Sequence, residues 1–190
     1  RVADFGWILA VPHATAWLGC LGAEVIRIES RARLDLVRVL PGTAADGQIG
    51  VNRAGAFNGL SYSKKSVTLN LSSERGVELA REIIAKSDVV TENFTPGVMQ
   101  RLGLDYASLS RRKSDLVMLS GSPLGQTGPH RHATGWGPNT QAFAGLPYLT
   151  GYAGGPPVGL GGFYPDFMVG VAMAFSIMAA LRHRDRTGEG

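Results

Sequence analysis

Residues 154–165 hold five glycines and three prolines, a density no regular element tolerates, and they deliver the chain to Asp166 at the head of an apolar run. A carboxylate placed there faces two opposed pressures. Burial raises its pKa, while the positive end of the following helix and its free backbone N–H groups favour the anion. A carboxylate that is desolvated yet ionised is a usable nucleophile. The bland alternative is equally concrete: Asp166 serves as N-cap of a helix starting at Phe167, a role aspartate fills often. Gly159, Gly161 and Gly162 have the same two readings, as backbone N–H donors and a movable cover for the carboxylate, or as a turn and nothing more.

Other chemistries find less support. Gly159-Leu160-Gly161 approaches a dinucleotide fingerprint, but Tyr164 stands where the third glycine belongs, and no Walker loop occurs. The four histidines, His13, His130, His132 and His183, include one H-x-H pair outside any helix or strand pattern, so no metal site is expected. The tight basic run Arg111-Arg112-Lys113 sits among polar residues and reads as solvated surface rather than a nucleic-acid contact.

The elements that must position Asp166 follow a strand, helix, strand order. Residues 2–9 read as a first strand, 12–21 as a helix opening at Pro12 and closing near Gly22, and 24–28 as a second strand. That order starts a parallel α/β sheet, since parallel neighbours need a crossover between them. Residues 30–62 show no clean period and are expected to be a long irregular excursion. Ser66–Leu71 alternates as a strand. Ser72 or Ser73 can cap a helix in which Val77, Ala80, Ile83 and Ile84 recur at helical spacing. Further strands are expected at 88–91 and 115–119, short helices at 96–102 and 106–113, a loop over 121–138 and a helix over 139–149. The run 167–181 falls short of the roughly 20 apolar residues of a membrane span and reads as a buried core helix.

With 44% hydrophobic and 18% charged residues in 190, the chain can bury the core of one domain and is not a disordered segment. A single cysteine, Cys20, allows no internal disulfide and fits a reducing, cytoplasmic setting. The start at Arg1 and the stop at Gly190 just past a helix suggest a chain cut at both ends, and one whose isolated form associates through apolar surface.

Gly22-Ala23-Glu24-Val25-Ile26-Arg27-Ile28-Glu29, Lys64-Lys65-Ser66-Val67-Thr68-Leu69-Asn70-Leu71, Glu92-Asn93-Phe94-Thr95-Pro96-Gly97, Arg101-Leu102-Gly103-Leu104 and Gly125-Gln126-Thr127-Gly128-Pro129 follow one another along the chain. In order and spacing they resemble the class III CoA-transferases, the family of the formyl-CoA and carnitine CoA-transferases. The closing His183-Arg184-Asp185-Arg186-Thr187-Gly188 extends the resemblance over essentially all of it. The resemblance implies a Rossmann-like, mainly parallel sheet with helices on both faces, here the first portion of a CoA-binding large domain without its small domain. It also implies an interlocked homodimer when full length, and Asp166 as the catalytic residue. Coenzyme A and its thioesters would be substrates, with no tightly bound cofactor, no nucleic acid and no membrane partner. Ile8, Leu9 and Ala10 would lie near the adenine and pantetheine, Leu69 beside the adenine, and Asn93, Phe94, Val98 and Arg101 along the pyrophosphate and pantetheine path. Phe94 has core packing as its plain alternative, and Arg101 an exposed helix charge.

The departures are specific. An Arg-Pro-Gly-Tyr-Asp run common in the family is Gly135-Trp136-Gly137-Pro138 here, so Trp136 can replace the tyrosine as a stacking surface while nothing replaces the aspartate. An α-methylacyl-CoA racemase shares the fold but needs a His/Asp pair where this chain has Trp136 and Gly137. A third possibility is a silent CoA-binding half of a tandem fusion. The donor and acceptor acids leave no signature.

Overall fold

The computed structural model describes residues 1–40, 44 and 46–190. Five strands form one wholly parallel sheet: β1 (Val2–Phe5), β2 (Val25–Glu29), β3 (Lys64–Thr68), β4 (Val89–Glu92) and β5 (Val117–Ser120). Their order is β3-β2-β1-β4-β5. From β1 the chain steps outward on one side to β2 and β3, then returns to the other side of β1 for β4 and β5. The C-terminal ends of β1 and β4 therefore flank a topological switch point, where open parallel sheets form their ligand crevice.

The register explains how the two faces differ. Val2 aligns with Val25 and Val89, and Val89 with Val117. These four valines form one apolar row, buried beneath α1 (Ala10–Cys20) and α8 (Tyr164–Thr187) together with Ala14, Leu18, Ala174 and Ile177. One residue on, side chains point to the opposite face. There Ala3 and Val90 pack with Ile84 of α3 (Glu74–Ala85), Met99 of α4 (Val98–Arg101) and Leu109 of α5 (Tyr106–Ser110). The next row back toward α1 is polar: Asp4 lies level with Arg27 and Thr91, all buried. Polarity thus enters the sheet on the site side, toward the strands' C-terminal ends.

Several sequence expectations shift. The first strand ends at Phe5 rather than residue 9, because Gly6–Leu9 turns sharply into α1. The excursion over 30–62 is not wholly irregular, since it carries a 3₁₀ turn at Leu36–Arg38 and α2 (Gly55–Ser61). It is pinned to the sheet by charge. Arg27 forms a buried ion pair with Asp35, Arg38 holds Glu29 through two bonds of 2.6 and 2.7 Å, and both guanidinium groups lie over the Phe57 ring. The helix expected over 139–149 breaks at Gly145 into α6 (Gly137–Phe143) and α7 (Leu146–Leu149). Ser73 is the cap of α3, its hydroxyl accepting from Gly76 N at 3.1 Å.

Helix α8 differs most. It begins at Tyr164 with Phe163 at the cap position, so Asp166 lies inside its first turn rather than at the N-cap. Its 24 residues are long and apolar enough to cross a membrane, but Gly170, Ala174 and Ile177 are buried against the rest of the domain. Gly170 marks the closest approach: a Cβ there would fall 2.9 Å from Ala10 O and 2.8 Å from His13. The remaining apolar residues, Phe175 and Met178 among them, are exposed, so α8 is a half-covered helix rather than a buried one.

Candidate functional site

The turn between β1 and α1 is built under strain and clamped from three directions. Ile8 adopts φ 63°, a left-handed conformation that costs a β-branched residue about 1–3 kcal/mol. Trp7 N donates to Asn93 Oδ1 at 2.7 Å, and Asn93 Nδ2 donates back to Trp7 O at 2.8 Å, so the residue following β4 locks the turn that follows β1. Ile8 N donates to Asp35 at 3.0 Å, which ties the excursion and its Arg27 ion pair to the same turn. Below it, Lys64 Nζ donates to Pro12 O, Thr15 Oγ1 and Asp4, and Gly6 N donates to Asp4 Oδ1.

At the switch point this turn walls a cavity of about 310 Å³. Ile8, Leu9, Ala10 and Asn93 line one side, and Gly121, Ser122 and Pro123 continue from the end of β5. Trp136, Gly137 and Thr140 come from the start of α6, and Phe163, Asp166, Val169 and Met173 from α8. Five separate segments converge there, as in ligand sites of this architecture.

Asp166 is the ionisable group in this lining. Its carboxylate is half-buried, and Oδ2 is enclosed without accepting a hydrogen bond. Burial raises the carboxyl above the usual aspartate range, and the backbone N–H groups of Asp166 itself and Gly137 only partly offset this. Gly137 is pressed against it: a Cβ at residue 137 would lie 2.2 Å from Oδ2, so no larger residue fits without displacing the carboxylate. Ser122 Oγ is likewise buried and unpartnered. The cavity thus offers an under-satisfied carboxylate and an unused hydroxyl among apolar walls.

The other sequence-derived residues are distributed more widely. Leu69 is buried in the core beneath α3, and Phe94 packs on that same cluster and forms a T-shaped pair with Trp7, centroids 6.4 Å apart. Val98 is half-buried and Arg101 exposed on α4, neither of them in the Asp166 cavity. Gly159, Gly161 and Gly162 are exposed and stand outside its lining, the latter two at φ 75° and 34°. Leu160 N, between them, donates to the buried Gln141 at 3.1 Å and so fastens the glycine loop to α6. His130 and His132 do not line the cavity. Among the described residues no group of three or more His, Cys, Asp or Glu side chains is placed to hold a metal ion.

Sequence reasoning missed Ser122, Gly137, Thr140 and Met173. The first had a usable signal, since it follows the end of a strand beside a switch point. The apposition of Gly137 to Asp166 joins segments 29 residues apart in sequence and had none.

Similarity to known proteins runs the whole length of the chain. The profile of CoA-transferase family III matches residues 1–190. The alpha subunit of succinyl-CoA–L-malate CoA-transferase from Chloroflexus aurantiacus is 40% identical over 192 residues, covering 100% of this chain and 44% of its own. Mouse (Mus musculus) succinyl-CoA:glutarate CoA-transferase is 36% identical over 191 residues, covering 100% and 42%. The crystal structure of a CAIB/BAIF family protein from Brucella suis superposes with a TM-score of 0.90 at 34% identity, covering 100% of this chain and 50% of that one. The chain spans about half the length of the relatives it matches.

Proposed function

The chain belongs to CoA-transferase family III, and from that premise we propose that it is the CoA-binding, Asp166-bearing portion of an enzyme that moves coenzyme A between carboxylic acids. The observation that carries the proposal is the Asp166 carboxylate, enclosed at the switch point with Oδ2 unpartnered. A carboxylate satisfied by donors is a poor nucleophile, whereas a desolvated one with raised basicity has reactivity to spend.

In the proposed reaction an Asp166 oxygen attacks the carbonyl of an acyl-CoA. The carbon–sulfur bond breaks, leaving an acyl–aspartyl anhydride and CoA thiolate. The thiolate attacks the aspartyl carbonyl, releasing the donor carboxylate and forming an aspartyl-CoA thioester. The acceptor carboxylate attacks that thioester, giving a second anhydride and thiolate. The thiolate then takes the acceptor acyl group and returns Asp166 as carboxylate. No proton is consumed, and the thioester is conserved throughout. The protein's task is positioning and exclusion of water. The strained turn at Ile8, clamped by Asn93 and Asp35, offers apolar side chains to the coenzyme, and Trp136 a stacking surface. Leu69, Phe94, Val98 and Arg101 are proposed to lie along the coenzyme's path, with the Arg101 guanidinium exposed and available to phosphate. The loop of Gly159, Gly161 and Gly162 is proposed as the cover over the carboxylate.

The remaining half of the protein is proposed to complete the acyl site, and two copies to interlock in the cytoplasm. Racemisation is disfavoured because the residues opposite Asp166 are Trp136 and Gly137, neither of which moves a proton at carbon, and because His130 and His132 stand outside the cavity. The test is exchange of label between an acyl-CoA and a free carboxylate in the intact enzyme. Transfer without net thioester hydrolysis, lost in Asp166→Asn, is expected. Loss of the α-proton without any acceptor acid would instead favour the racemase.

A further inference from the structure

A second cavity, of about 350 Å³, opens beside the first. Ile8, Leu9, Trp136 and Phe163 line both, so the two share a wall at the strained turn. On α8 the chain passes directly from Asp166, in the first cavity, to Phe167, in the second. Leu36, Leu40 and Leu60 from the excursion line the second. Among its described lining residues no side chain is charged, and the indole N–H of Trp136 is the sole polar side-chain group.

Resting on the transfer reading of Asp166, we infer that this second cavity receives the carbon chain of the transferred acyl group, and that the enzyme's preferred substrates are monocarboxylic acids with an apolar chain of several carbons. Two considerations lead there. The pantetheine arm carries two amides that need hydrogen-bond partners. Such partners stand in the Asp166 cavity, at Ser122 and Thr140, and not in the apolar one. A dicarboxylic acyl group would bring a second charge into a cavity whose described lining residues include no cation, at a desolvation cost its short chain does not offset. An alkyl chain instead gains from each methylene withdrawn from water, about a fourfold preference per carbon.

Because the acceptor is unidentified, the test uses identity exchange: an acyl-CoA incubated with its own isotopically labelled free acid and the intact enzyme. The pairs are acetyl, butyryl, hexanoyl and succinyl. kcat/KM is expected to rise about fourfold per methylene from acetyl to hexanoyl, with succinyl far below hexanoyl. Gly59 lies on α2 at the cavity wall, and a Cβ there would meet no atom within 4 Å. Gly59→Leu is expected to lower the hexanoyl-to-acetyl ratio about tenfold by occupying the space. Succinyl exchange that outpaces hexanoyl, or a ratio untouched by Gly59→Leu, would overturn the inference while leaving CoA transfer standing. Absence of exchange with every pair would overturn the transfer reading, and the inference with it.

Discussion

Asp4 and Asp166 are both aspartates turned inward, one on the central strand and one in the first turn of the longest helix, and they are supplied with hydrogen bonds in opposite ways. Asp4 is fully buried and accepts four: from Gly6 N at 2.8 Å, Thr91 Oγ1 at 3.1 Å, Thr15 Oγ1 at 2.7 Å and Lys64 Nζ at 3.1 Å. Asp166 is less deeply buried, yet its Oδ2 accepts none. Depth of burial therefore does not separate structural from reactive carboxylates here. Satisfaction does: Asp4 has its lone pairs spent on holding the β1–α1 turn, and Asp166 keeps one oxygen unspent at a cavity.

The sharpest way to break this contrast is to remove one carboxylate at a time and read both turnover and stability. Asp166→Asn should lower turnover by at least about a thousandfold, because the attacking oxygen is gone, while the protein stays folded and still binds CoA. Asp4→Asn should do the reverse in kind. It leaves the Lys64 ammonium, whose pKa burial already depresses, without its counter-charge. A loss of about 3–5 kcal/mol in urea unfolding is expected, with Lys64→Met in the same chain restoring much of it. A stable Asp4→Asn protein would show that the network is ornamental.

Smaller effects sharpen the account at Asp166. Gly137→Ala places a methyl 2.2 Å from Oδ2, so the carboxylate must move. Turnover should fall about ten- to hundredfold with little change in melting temperature. The smallest effect is on pH. Because burial raises the Asp166 carboxyl, the acid limb of kcat should lie above the range of an ordinary aspartate. The sign for stability follows from linkage: a raised folded-state pKa favours folding below the unfolded value, and that contribution is lost as pH rises through the folded one. Asp166→Asn should thus be slightly more stable than the parent near neutral pH. A variant less stable there would mean that the backbone N–H contacts to the carboxylate outweigh the cost of its burial.

Legibility in the sequence followed the range of the forces involved. The parallel sheet, a serine cap at Ser72 or Ser73 and the glycine-rich approach to Asp166 were readable because period, capping and turn chemistry are local. Helix α2 was not, since a Gly-Ala-rich heptapeptide has no helical signature until Phe57 and Leu60 find the core and the Arg27–Asp35 pair pins the excursion. The start of α8 at Tyr164 was hidden by the prolines and glycines before it, although a proline in the first helical turn is well tolerated. The missing aspartate after Trp136 was visible as a departure. That the glycine in its place makes room for Asp166 became visible only through the tertiary approach of α6 to α8.

The central claim, that Asp166 becomes covalently acylated, is tested most directly by trapping. Intact enzyme is mixed with an acyl-CoA, treated with hydroxylamine or borohydride during turnover, digested and mapped by mass spectrometry. The account predicts modification of the peptide holding Asp166, at that residue, and none in Asp166→Asn. Modification at another carboxylate, or an unmodified Asp166 during active transfer, would contradict it.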